Sequence, residues 1–430
     1  MLRLHSSDPD FALAFAKLVD DRRESDADVA RDVAGIIADV RTRGDAALAE
    51  YTARFDRFVP ETDDDWRVGA DLCREAYDAL TPDLRAALEL AAQRIRAYHM
   101  AQLPENRDYT DDQGVRLGAV WRGVDGAGLY VPGGRAAYPS SLLMNAIPAK
   151  VAGVERLVIA TPTPDGVINP LVLAAAHLAG VDEVWRIGGA QAIAALAYGT
   201  DRIRPVDVIT GPGNAWVAEA KRQLFGVVGI DMVAGPSEIL VIADARNDPH
   251  WIAADLLSQA EHDPAAQSIL ITDDAAFADA VAAAVDAELA LLPRPQVARD
   301  SWDRYGTIIV VGSLDEAPAL ANRIAAEHVE IATDDPDALF AQIRHAGSVF
   351  LGRMTPEAIG DYVAGPNHVL PTGRRARFSS GLSVLDFMKR TSFIALGDAA
   401  LAAIGPAAIE LANAEGLTAH ARSIEVRFEP

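Results

Sequence analysis

Residues 156–213 read RLVIATPTPDGVINPLVLAAAHLAGVDEVWRIGGAQAIAALAYGTDRIRPVDVITGPG. Three short runs rich in Val and Ile (RLVIATP, VDEVWRIGG, VDVITGPG) alternate with two runs rich in Ala and Leu (NPLVLAAAHLAG, AQAIAALAYG). The first kind has the length of a buried strand and the second the length of a helix, with Gly180 as a helix stop. Strand and helix in alternation imply right-handed crossovers and a parallel sheet. The same grammar begins at GLYVP (128–132), with a helix over 139–154, and ends with NAWVAEAKRQLFG (214–226).

It resumes after Gly235. ILVIAD, PHWIAADLLSQAEH, SILITDD, the Ala-rich run 275–292, TIIVVGS and LDEAPALANRIAAEH follow in order, then HVEIAT, PDALFAQIRHAG and SVFLG. Two α/β modules are expected, roughly 130–237 and 238–380, the second sharing a sheet with parts of the N-terminal third. The first hundred residues read as helical. Val29, Val33, Ile36, Ile37 and Val40 recur at helical spacing, and 86–100 is a second such run. From Gly381 a small helical tail ends in SIEVRF.

The chain has 430 residues, half of them hydrophobic, enough for more than one core. Its net charge of −23 favours solubility and repels nucleic acid and anionic lipid. A phosphate-bearing ligand therefore needs local donors. The single cysteine, Cys73, makes no intrachain disulfide and no thiolate cage, which fits a reducing cytoplasm. The start MLRLHSSDPDF is not expected to be a signal peptide, because its apolar run is short and acids follow. No stretch approaches the ~20 apolar residues of a membrane span.

AEH occurs twice, at 260–262 and 326–328. Around the first, Asp248-Pro249 is a helix start and Asp263-Pro264 a stop. Gln259 and His262, three apart, share a face with Asp255, while Glu261 points about 100° away. Such a pair can hold a metal or can be a polar helix end, and Gln is an unusual zinc ligand. The second pair, Glu327-His328, lies where a helix gives way to a strand. There an acid and a His can serve as two proton-transfer groups, or His328 can merely complement the helix end. His328 opens its strand, whereas sites in parallel sheets favour strand carboxyl ends. Downstream lie Asp361 with His368 in GPNH, and Glu415 with His420. Each alone suits a solvated surface; His262, Asp361, His420 and Gln259 together would suit zinc or another borderline divalent ion. GAGLYVPGG and ITGPGN each end a strand before a helix, as a diphosphate cradle requires, but neither contains GxGxxG and both also suit ordinary turns. AGPSE (234–238) is a similar turn, with Ser237 as a possible ligand contact.

IDMVAGPSEILVIAD followed by LLSQAEHD resembles the signature of the histidinol dehydrogenase family. GLYVPGGRAAYPSS, IGGAQAIAALAYGT, ITGPGNAWVAEAKRQ, AAEHVEI, GDYVAGPNHVLPT and EGLTAHARSIEVR are also similar to that family, in its order, over nearly the whole chain. The resemblance implies two incomplete Rossmann-like α/β modules with parallel sheets, plus small N-terminal helical and C-terminal tail domains. The domains expected are 1–25 (helical), 26–129 with 238–380 (first α/β domain), 130–237 (second α/β domain, binding the nucleotide) and 381–430 (tail). It further implies an NAD-dependent, zinc-containing enzyme that oxidises L-histidinol through L-histidinaldehyde to L-histidine with two NAD+. Carried over by motif, the zinc ligands are Gln259, His262, Asp361 and His420, and the proton-transfer pair is Glu327 and His328. Ser237, His368 and Glu415 contact substrate, as do the metal ligands and His328; Tyr130, Gln191 and Asn214 contact the nucleotide. An intertwined homodimer is implied, the tail with Glu415 and His420 reaching the partner's site.

On this reading zinc is a template, His328 takes the hydroxyl proton and Glu327 activates water for attack on the aldehyde. Glu415, His368 and His420 would grip the amino and imidazole groups of histidinol, which disfavours another polar alcohol. A zinc hydrolase with Glu327 acting on water is disfavoured by the doubled α/β module and the glycine turns, and a non-catalytic binding protein by the number of site residues that are intact.

Overall fold

The computed structural model describes residues 1–21, 27–133, 138–233 and 235–429. Residues 134–137 of the GLYVPGGRAAYPSS motif and Ala234 of AGPSE lie outside the described residues. The described chain divides into two units, 1–102 with 124–387 and 103–123 with 388–430.

The first unit contains two six-stranded sheets. One runs in the order Leu2–His5, Thr307–Val310, Gln267–Thr272, Glu238–Ala243, His328–Ala332 and Ser348–Leu351, and every neighbouring pair is parallel. The apolar run 239–243 of the central strand explains itself by packing. Ile239 and Val241 point into a core with helices Pro249–Ala260, Ala275–Leu289 and Gln296–Tyr305, while Leu240 and Ile242 point into one with helices Phe11–Asp20 and Ala317–Ile324. A sheet covered on both faces requires such continuous hydrophobic runs.

The other sheet runs Arg67–Val68, Glu183–Trp185, Arg156–Ala160, Gly126–Tyr130, Val208–Thr210 and Gly229–Ile230, parallel except at the first pair. Residues 156–213 thus form the strands and crossovers expected. Gly180 ends its helix with φ of 70° and returns two backbone bonds to the last turn.

The grouping of the N-terminal third differs from expectation. Residues 26–129 were expected with 238–380, but Val33, Ile36, Ile37 and Val40 share a core with Val158 of the other sheet and with Ile193 and Leu196 of the helix Gly189–Tyr198. An amphipathic stripe identifies a buried face but not the partner that covers it. Residues 1–25 also carry more than helix, since Leu2–His5 adds an edge strand against Thr307–Val310. The tail begins as a strand. In the second unit Met388–Ala395, Arg116–Gly123 and Arg107–Thr110 make an antiparallel sheet, followed by helices Asp398–Ala414 and Thr418–Glu425.

Each sheet of the first unit has a place where strand order reverses, the usual crevice for ligands at the carboxyl ends. In the first sheet it is filled. Arg353 reaches Asp244 at 2.5 and 2.7 Å and Asp334 at 2.6 Å, and Asn247 donates to the Ala332 carbonyl at 2.7 Å. In the second sheet the reversal lies between Gly126–Tyr130 and Val208–Thr210, beside the glycine turns.

Candidate active site

Glu327 and His328 sit at the amino edge of the first sheet. His328 pairs with Ile239 in the ladder, so both residues face the start of the central strand. Both are buried, 6% and 4% exposed. Glu327 Oε2 accepts the Glu238 N–H at 3.0 Å, and His328 Nδ1 lies 3.1 Å from the Glu238 carbonyl. A carbonyl only accepts, so Nδ1 carries the proton and Nε2 keeps its lone pair. The carboxyl crevice of this sheet is filled, and the candidate site lies at the opposite edge.

Glu357 Oε1 lies 3.4 Å from His328 Nε2, and Ser258 donates to Glu357 Oε2 at 3.1 Å. Burial lowers the imidazole pKa to about 4. Burial pushes Glu327 well above the ordinary carboxyl range and, with the charge of Asp361, pushes Glu357 up to about 8. With its pKa at about 4 the imidazole is neutral near pH 7, so the contacts of His328 with these acids are not ion pairs. Asp361 behaves differently. Burial opposes its ionisation, but His368, with Nδ1 3.6 Å from Oδ1, and His328 and His262 hold its pKa below the usual value.

Gln259 closes the last turn of helix Pro249–Ala260, which Asp248 caps by accepting from the His250 N–H. Gln259 is 1% exposed and its Oε1 has no protein partner. The expected shared helical face needs correcting, because the helix stops at Ala260 and His262 lies in the turn beyond it. His262 Nδ1 nevertheless lies 3.5 Å from Gln259 Nε2. Ligand atoms of His328, Glu357 and Asp361 lie within 4.8 Å of one another. His368 donates from Nδ1 to the Asp361 carbonyl at 3.1 Å, and its Nε2 meets the Ser141 hydroxyl at 3.2 Å. Ser141 opens the helix Pro139–Val151, so His368 joins the two sheet layers. Ser237 stands half-exposed directly before the central strand. Glu415 and His420 are exposed and belong to the second unit.

The three expected nucleotide residues share the carboxyl rim of the second sheet. Tyr130 ends its strand, and its hydroxyl accepts the Gly189 N–H at 3.1 Å. Gln191 is 1% exposed, and neither polar atom of its side chain has a protein partner. Asn214 caps the helix Ala215–Leu224. Gly211, with φ of 112°, lies so close to Tyr130 that a Cβ would stand 2.2 Å from its carbonyl oxygen. Only glycine tolerates that conformation and that approach.

Glu357, Ser141 and the buried acid Glu330 escaped the sequence reading, and Asp255 was read only as sharing a face with Gln259. Their signal was weak, although an acid inside HVEIA should have been suspect once both sheet faces were covered. The Glu330 and Asp255 carboxyls are hydrogen-bonded to each other, so a proton is shared between them. Burial raises both; the neighbouring Asp255 pushes Glu330 further, to about 9, while the bond from Glu330 partly offsets burial at Asp255, which stands at about 6. A raised folded pKa gives stability that is complete below the unfolded value and is lost as pH rises toward the folded one. Glu330→Gln cannot ionise and escapes this loss. Its unfolding free energy should exceed that of the unaltered protein at pH 8, on the order of 2 kcal/mol, and match it near pH 4. Urea denaturation at the two pH values checks this; an equal difference at both would remove the titration argument.

The sequence profile of the histidinol dehydrogenase family matches residues 19–428. Histidinol dehydrogenase of Zymomonas mobilis subsp. mobilis is 63% identical over 428 residues, covering 100% of this chain and 99% of that protein. The enzyme of the same name from Ruegeria pomeroyi is 64% identical over 426 residues, 99% of this chain and 98% of that one. The crystal structure of histidinol dehydrogenase from Elizabethkingia anophelis superposes with a TM-score of 0.94 at 35% identity, covering 100% of this chain and 98% of that chain.

Proposed function

The chain belongs to the histidinol dehydrogenase family, and we propose that it oxidises L-histidinol through bound L-histidinaldehyde to L-histidine with two NAD+, the last steps of histidine biosynthesis. The observation that carries this is the buried Glu327-His328 pair, with Nδ1 anchored on the Glu238 carbonyl and Nε2 left as a base.

His328 Nε2 takes the hydroxyl proton of histidinol while hydride leaves the adjacent carbon. NAD+ supplies the hydride acceptor in each of the two oxidations. Glu327 then removes a proton from water as its oxygen bonds to the aldehyde carbon, and the protonated His328 returns its proton to the carbonyl oxygen, which leaves a gem-diol and a neutral imidazole. His328 takes the hydroxyl proton of the resulting gem-diol as the second hydride leaves, giving the acid. The buried, partnerless amide of Gln191 suits a polar ligand, and it is assigned to the nucleotide with Tyr130 and Asn214.

The donor set also fits zinc. Gln259 offers a buried, partnerless oxygen, His262 lies beside it and Asp361 is held ionised. The assigned ligands are Gln259, His262 and Asp361, completed by His420 from the tail of a partner subunit. When bound, zinc supplies a Lewis-acidic template for the imidazole and amino nitrogens of the substrate. Ser237, His368 and Glu415 complete the substrate site, in a cytoplasmic homodimer with shared sites. No described helix is long and apolar enough to cross a membrane.

The alternative cluster of His328, Glu357 and Asp361 would occupy the base itself. The two assignments separate by metal analysis. Gln259→Ala and His262→Ala should lose zinc affinity about 10- to 100-fold or more, whereas Glu357→Gln should keep one zinc per chain. Zinc lost from Glu357→Gln but retained by the other two would reverse the assignment. The activity itself is tested by absorbance at 340 nm with histidinol and NAD+. No signal from zinc-replete protein would exclude it and favour a hydrolase, for which the nucleotide rim has no use.

A further inference from the structure

We propose that Lys221 and Asp231 are positioning residues for the nucleotide, a buried ion pair that holds the Gly211–Asn214 turn in its binding shape. The proposal rests on the assignment of that turn to NAD+. The two side chains are 2% and 1% exposed and form an ion pair. Lysine is almost never buried this deeply without a partner. A buried pair is weak evidence for stability, because apolar residues of similar size often stabilise as well or better. Something other than bulk stability therefore has to account for these two.

What they hold is one residue. Lys221 Nζ donates to the Gly211 carbonyl at 3.0 Å, and Asp231 Oδ2 accepts the Gly211 N–H at 2.9 Å. Asp231 Oδ1 also accepts the Met232 N–H at 2.7 Å. Both backbone polar groups of Gly211 are thus taken by the two members of the pair, at the residue that leaves the strand ladder. The same glycine presses on Tyr130, and Asn214 follows three residues later. The clamp therefore sets the spacing between two assigned nucleotide contacts. Asp231 also opens the segment that leads to Ser237, which ties the turn to the chain entering the catalytic sheet.

Replacing both members at once, Lys221→Met with Asp231→Leu, leaves neither charge buried alone. The full-length, zinc-loaded variant should keep its zinc content, its thermal midpoint and its KM for histidinol. Its Kd for NADH, read by fluorescence titration, and its KM for NAD+ should rise about tenfold or more. An unchanged Kd in the folded variant, or a rise matched by the KM for histidinol, would overturn the clamp. If the double variant does not fold, Asp231→Asn keeps the size and one acceptor. It should raise the Kd about threefold or more, and no rise overturns the proposal. Asn214→Ala, measured alongside, separates the two claims. Weaker NADH binding there with none in the pair variants overturns the clamp alone. No weakening in Asn214→Ala overturns the clamp and the assignment of the turn together.

Discussion

His328→Asn should lose both oxidation steps together, with kcat for each reduced about 10²- to 10⁴-fold. An Asn amide can still donate to the Glu238 carbonyl that anchors Nδ1, so the local fold has a replacement partner. What it lacks is a basic nitrogen. His328 is buried and its pKa is lowered to about 4, so near pH 7 the ring is neutral and Nε2 is ready to take a proton. Hydride leaves an alcohol or a gem-diol readily only as the hydroxyl proton is removed. Both half-reactions therefore draw on the same atom. Single-turnover NADH formation from histidinol, and separately from supplied histidinaldehyde, measures the two. Zinc content should stay near its unaltered value, since the assigned metal ligands are other residues. A loss confined to one step would give His328 a narrower role.

The architecture explains how two similar sheets come to do different work. The first is parallel throughout and the second parallel but for its edge pair, and both reverse strand order once. The second leaves its carboxyl crevice lined by glycine turns and a partnerless Gln191. The first closes its own crevice with Arg353, Asp244, Asp334 and Asn247. The chemistry proposed for it lies at the amino edge, where a loop-to-strand junction delivers Glu327 and His328 side by side. The helix holding Gln259 and the segment with Glu357 and Asp361 converge on that edge.

Much of this was legible from the residues. Val/Ile runs separated by Ala/Leu runs announce doubly covered parallel strands, because no other sheet buries both of its faces so fully. Gly180 and Asp248 marked helix ends correctly because each fulfils a local bonding need. The grouping of residues 27–102 was not legible, since the stripe of Val33, Ile36, Ile37 and Val40 fits any apolar surface. The turn holding His262 was missed because capping bonds end the helix at Ala260 rather than at Pro264. Glu357 was invisible, since its meaning depends on a 3.4 Å approach to a ring far away in sequence. The assignment of Glu327 and His328 came from the family motif. The dipeptide alone also fitted a helix end, and the hydrogen bonds to Glu238 supply the physical reason that spacing lacked.

Glu327→Gln should divide the two oxidations. The substitution is isosteric, and the amide oxygen can still accept the Glu238 N–H that now lies 3.0 Å from Oε2. Position is therefore conserved and only the capacity to bind a proton is lost. Oxidation of histidinol to the aldehyde needs a base for the hydroxyl proton, which His328 supplies, so this step should fall by less than about tenfold. Oxidation of the aldehyde needs water first, and a neutral amide cannot take its proton. That step should fall about 10²- to 10⁴-fold. Burial raises the Glu327 pKa, so its conjugate base is stronger than an ordinary carboxylate and better matched to deprotonating water as it attacks. The expected record is a burst of one NADH per site followed by a slow second phase, with histidinaldehyde recovered on acid quench. A first phase impaired more than the second would exchange the two roles, making Glu327 the base for the alcohol and His328 the activator of water.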